Sequence, residues 1–185
     1  MKLDEIVNNV FNVSLKTQYD LGSTFVRFQE YYDSPEFKDK IFTLKKKKKW
    51  YTENSLRGKQ TQRFTYFEDV AGCNIPSHTL EPFYEGKFDP LSEKEKLLLD
   101  TFKEKKERFY IIGTFENTHR TFGNIKEKVI KHETAHGLYY TSQEYKKEAQ
   151  NILAKIDPIN RSNIETELMK IGLYHQEVLE DELHA

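Results

Sequence analysis

The residues from Phe109 to Tyr140 constrain the fold more than any other part of the chain. Phe109-Tyr110-Ile111-Ile112-Gly113-Thr114-Phe115 is the strongest β-forming run present, apolar and rich in aromatic and β-branched residues, and it predicts a strand. A polar loop, 116–121, follows. From about Gly123-Asn124 the period changes to that of a helix, with Ile125, Val129, His132, His136 and Tyr140 along one stripe. Strand and helix each have an apolar face to bury, so the helix is expected to pack on the sheet that the strand joins.

Within that helix the chain reads His132-Glu133-Thr134-Ala135-His136, the pattern H-E-x-x-H. Histidines four residues apart sit one above the other on a helix face, so both imidazoles can reach one metal ion. The glutamate between them stands beside a metal-bound water and is suited to take its proton. Zinc lowers the pKa of such a water to around 7 from about 15.7 in bulk, and the protonated carboxyl can later serve a leaving amine. Amide hydrolysis is the reaction that suits the trio. The bland alternative is two exposed helix histidines with an ordinary acidic neighbour.

The rest of the chain sets boundaries on that idea. Its 185 residues fit a single domain, 1–185, with a core of its own. Eleven Tyr and thirteen Phe carry much of the burial. A net charge of -1 gives no global argument for a nucleic-acid or membrane partner. The single cysteine, Cys73, excludes an internal disulfide and a Cys-rich zinc site, and it reads as a small buried hydrophobe. No secretory signal or membrane span is visible, so a cytoplasmic location is expected.

Along the chain, Leu3, Ile6, Val7, Val10, Phe11 and Leu15 have helical spacing and predict an amphipathic helix over 3–16, broken by Gly22. The segment from Phe25 to Leu44 is compatible with helix or with an extended piece. Lys45–Lys49 reads first as a solvated face or loop; as a phosphate-contacting patch beside Trp50, it would make the chain a nucleic-acid binder. Residues 62–70 predict a strand, 71–74 a turn and 75–77 a loop. Ser92 with Glu95 is a capping box that starts a helix running to about Lys106. Ser142 caps another helix to about Ile156, and a last helix runs from about Asn163 to the end, bent near Gly172.

A strand, an H-E-x-x-H helix and a later helix bearing a carboxylate resemble the zincin metallopeptidases, most closely the small gluzincins, over residues 109–185. The expected fold is α+β and zincin-like: a small, mostly antiparallel sheet, the motif helix against it and helices at both ends. Residues 1–90 match no motif and are expected to build the other wall of the cleft. The resemblance implies one zinc ion per chain held by His132 and His136, with Glu133 as general base and acid. Phe109–Phe115 would be the edge strand that pairs with an extended substrate backbone. The metzincin variant needs a third histidine where this chain has Ser142.

In small gluzincins the third ligand often comes from a pattern E-x-x-A in a later helix. Glu182-Leu183-His184-Ala185 fits it, with the small alanine allowing close approach to the motif helix. Rival ligands are Glu177, Glu180, Asp181, His175, His184, Glu144 and Glu148. The chain ends three residues after Glu182, where fraying is expected. Tyr139, Tyr140 or His175 could stabilise an oxyanion, and His119 and Arg120 could contact substrate. His78 reads as a loop residue. The expected activity is a zinc-dependent hydrolase acting on peptide or protein substrates, and the alternative is a zincin-like module that binds without cleaving.

Overall fold

The computed structural model describes residues 1–116, 125–171 and 179–185. Four strands form one mixed sheet, and ten helices surround it among the described residues. The strands are β1 (Lys2–Val7), β2 (Val10–Leu15), β3 (Cys73–Pro76) and β4 (Tyr110–Phe115), in the order β1-β2-β4-β3. The outer pairings, β1 with β2 and β3 with β4, are antiparallel, whereas β2 and β4 run parallel at the centre.

The expected helix over 3–16 is therefore a β-hairpin. Val7 pairs with Val10 across a two-residue turn, in which Asn9 takes a left-handed φ of 61°. Asparagine tolerates that region, so Asn8-Asn9 is a hairpin signal that the apolar spacing obscured. All six residues of β2 are buried, so the alternation expected of a half-exposed strand is missing. β4 is also a correction. It lies between β2 and β3, and its backbone is paired on both sides, so it cannot be the edge that receives a substrate strand.

One sheet face packs against α1 (Gln18–Asp33), the other against α7 (Ile125–Thr141). Strand alternation sorts the side chains. Phe11, Val13, Leu15 and Ile111 join Leu21, Phe25 and Phe28 in the main core. Val10, Tyr110 and Ile112 point the other way, towards Tyr140 of α7. Gly22 does not end a helix; it lies inside α1, where a Cβ would meet the Phe67 Cα at 2.8 Å.

Between α1 and β3 come α2 (Leu44–Asn54), α3 (Leu56–Thr61) and the single turn α4 (Tyr66–Asp69). The lysine run is thus a helix. Lys47 turns inward, 2.6 Å from the Glu30 carboxylate and beside the rings of Phe37, Trp50 and Tyr66, while Lys45, Lys46, Lys48 and Lys49 stay outside. The strand expected over 62–70 gives way to α4, since Phe64, Tyr66 and Phe67 pack on one another and on Tyr51 rather than across a ladder. The strand forms instead at 73–76, where a turn and loop were expected.

A short 3₁₀ turn, Ser77–Leu80, and α5 (Glu81–Tyr84) lead to α6 (Glu93–Phe102), which opens with the predicted Ser92–Glu95 capping box and ends before the expected Lys106. α8 (Gln143–Leu153) has Ser142 as its N-cap, as read from the sequence. The described parts of the expected last helix are α9 (Pro158–Ile171), which begins earlier than expected, and α10 (Leu179–His184). The bend proposed at Gly172 lies outside the described residues. No helix among them is long and apolar enough to cross a membrane.

Candidate metal centre

α7 carries His132, Glu133 and His136, and it can lie close to the sheet because Gly137 follows them. A Cβ on Gly137 would stand 2.8 Å from Val10 Cγ1 and 3.2 Å from Tyr110 Cδ1. The helical spacing then places one ligand atom from each of the three residues within 4.8 Å of the others, a group that could hold a metal ion. The two Nε2 atoms are 3.2 Å apart. Two nitrogens bound at about 2.0–2.1 Å to one ion at a near-tetrahedral angle would be roughly 3.3 Å apart, so the pair fits a zinc-sized ion.

The tautomer of His136 suits that role. Its Nδ1 lies 3.0 Å from Asp181 Oδ1; the pair is not aligned as a hydrogen bond, but the nearby negative charge favours a proton on Nδ1, which leaves the Nε2 lone pair towards His132. Burial acts to lower the pKa of His136, but Asp181, Glu182 and Glu133 outweigh it and raise the value overall. Burial and the neighbouring His136 lower that of His132, which favours its neutral, ligand-competent form. Burial pushes the Glu133 carboxyl up, against the opposing pull of His136 and Asn74.

α10 brings a second set of groups to the same place. Glu182 Oε1 is 3.7 Å from His136 Nε2, although Glu182 is not among the three residues of the tight group. Burial raises its carboxyl pKa. Asp181, weighed in the sequence as a rival ligand, faces the far side of the His136 ring instead. His184 is turned away as well: its Nε2 meets the Ala135 carbonyl at 3.2 Å, and its ring packs on Tyr139. Ala185 is exposed beyond the end of α10 and reaches His132 through its backbone, while the side chains of Asp181 and His184 also contact α7.

Glu144 and Glu148 are exposed on α8. The Tyr140 hydroxyl is 3.0 Å from His78 Nδ1 and 3.4 Å from Ser77 Oγ, so His78 is a partner of α7 rather than a plain loop residue. The Tyr139 hydroxyl takes a hydrogen bond from Gln150. His119, Arg120, His175 and Glu177 lie outside the described residues.

Two residues near the centre escaped the sequence reading. Asn74, on β3, donates from Nδ2 to Glu133 Oε2 at 2.5 Å. Gln29, on α1, holds Asn74 in turn through two hydrogen bonds of 2.8 and 3.0 Å. Both come from the first 90 residues, which thereby reach the motif. No protein family matches the chain, and neither a curated protein nor a solved structure shows significant similarity to it.

Proposed function

We propose that the chain is a zinc-dependent hydrolase, a metallopeptidase of zincin type, acting on peptide bonds. The observation that carries the reading is the 3.2 Å separation of His132 Nε2 and His136 Nε2 with a carboxylate from Glu133 in the same group. His132 and His136 would hold the ion, with Glu182 completing the set from α10. When bound, zinc supplies a Lewis acid that polarises a carbonyl and makes water a nucleophile near neutral pH. Glu133 would accept the proton of the attacking water and return it to the departing amine nitrogen. A structural zinc site has no use for such a carboxylate, and this favours catalysis over binding alone.

The test is direct. Purified protein loaded with zinc should carry one equivalent by elemental analysis and should cleave labelled casein. Glu133→Gln should keep the metal and lose cleavage, whereas His136→Ala should lose both. Wild-type protein with no zinc affinity would end the proposal. Zinc retained with no hydrolysis of any peptide would make the chain a binding module instead.

A further inference from the structure

We infer that Gln29 and Asn74 form an amide relay with one permitted orientation, which aims a hydrogen-bond donor at Glu133 and makes both of them positioning residues for its proton transfer. The inference rests on the hydrolase reading above.

The orientation follows from a donor that cannot be reversed. Asn74 lies on the outer strand β3, and its backbone N–H points away from the sheet to Gln29 Oε1, 2.8 Å off. That N–H fixes which end of the Gln29 amide carries oxygen. The Gln29 NH₂ end must then face Asn74 Oδ1, at 3.0 Å, and Asp33 Oδ2, also at 3.0 Å. Asp33 is a second pin, since its oxygen accepts from the same NH₂ group. With Oδ1 committed to Gln29, the Asn74 Nδ2 is left for Glu133 Oε2, at 2.5 Å. Neither the Gln29 nor the Asn74 amide can turn over without setting oxygen against oxygen or hydrogen against hydrogen.

The relay does chemical work because Glu133 must present one oxygen steadily to a water. A donor on Oε2 holds the carboxylate plane, while the other oxygen takes no hydrogen bond from the described residues. Strand register matters too. Asn74 pairs with Ile112, and Ile112 faces α7, so Asn74 lies on the motif side of the sheet. A one-residue slip would turn Asn74 away from Glu133.

Gln29→Glu tests the orientation with almost no change of shape. The new oxygen would face Asn74 Oδ1, and Asn74 must then flip and show Glu133 a carbonyl. In ¹⁵N-labelled protein, the Asn74 side-chain amide resonance should lie downfield in the wild type and move upfield in Gln29→Glu. With zinc-loaded protein and labelled casein, kcat should fall roughly 10–100-fold, as for other outer-shell partners. KM and zinc content should stay unchanged, whereas the melting temperature should fall, because the new carboxylate stands against Asp33 Oδ2. An Asn74 resonance that does not move, or a kcat that does not fall, overturns the inference. If Gln29→Glu does not fold, Asn74→Asp, which replaces the donor facing Glu133 with a carboxylate oxygen, must lower kcat at least as much. A wild type that shows the displaced resonance but no hydrolysis counts against the hydrolase and leaves the relay's orientation supported.

Discussion

Gly137 and Val10 stand so close that a single methyl group does not fit between them, with the Val10 methyl carbons 2.8 and 2.9 Å from where a Cβ would lie. Glycine inside a helix costs about 1 kcal/mol relative to alanine, so the residue is tolerated for the approach it permits. Gly137→Ala should destabilise the protein by about 1–3 kcal/mol, the usual scale for overpacking. Adding Val10→Ala should recover part of that loss, because it removes the opposing methyls. Chemical denaturation of the two single variants and the double variant measures the coupling. Strict additivity would mean that the contact is not the cause.

On the proposed zinc reading, removing the ion should loosen the same region. At free zinc a hundredfold above its Kd, binding adds about 2.7 kcal/mol to stability. For a chain of this length that is a shift of roughly 5–10 °C in Tm. EDTA should therefore lower the calorimetric Tm of wild-type protein. His132→Ala and His136→Ala should melt at the same temperature with and without the chelator. Glu133→Gln should keep the zinc-dependent shift.

Far from the motif, Arg27 and Glu95 tie α1 to α6. Their two hydrogen bonds are both 2.6 Å and both side chains are buried. Arg27 also donates to the Phe88 and Pro90 carbonyls, and Glu95 accepts from the Ser92 N–H at the cap of α6. Glu95→Ala leaves a buried guanidinium without its counter-charge and should cost about 3–5 kcal/mol. Arg27→Met with Glu95→Leu should cost less than the sum of the single changes. A thermal or urea series checks this, and an effect below about 1 kcal/mol for Glu95→Ala would contradict it.

Asp20 makes stability depend on acid pH. Lys94 and the Thr17 hydroxyl donate to its carboxylate, each at 2.7 Å, and they hold its pKa below the ordinary value. Because the folded value is the lower one, the contribution is complete above the unfolded pKa of about 3.9 and is lost as pH falls through the folded value. Lys94→Met should remove a few tenths to about 1 kcal/mol near pH 6, a small effect because both side chains are partly exposed. The difference between variant and wild type should shrink as pH approaches about 2. A difference that stays constant across that range would assign the effect to packing.

What the sequence made legible was local. His132, Glu133 and His136 announce themselves because their chemistry is written in one helical turn, and the caps at Ser92 and Ser142 because a cap is satisfied within three residues. The strand at 110–115 was clear from its composition, but not its place in the sheet. That place depends on β2 and β3, which lie far away in the chain. The hairpin at the start was masked because a strand buried on both faces loses its alternation, so six apolar residues mimicked a helix. Asn74 looked like a turn residue, and Gln29 had no signal at all. Their meaning comes from partners 45 and 59 residues apart in sequence, a relation that no motif records.

The central pairing of β2 with β4 joins Val10 to Tyr110, residues a hundred positions apart. At roughly 5–20 residues per second, the ribosome needs on the order of 5–20 s to make that stretch. Throughout that interval the hairpin waits with one edge of β2 unpaired and with Val10, on the face that α7 later covers, without Tyr110 and Tyr140. The chain is thus exposed to premature association while it is being made, and a chaperone that shields short apolar strands should raise its yield. α7 follows β4 in the chain, so His132 and His136 are brought against the finished sheet only after that wait is over.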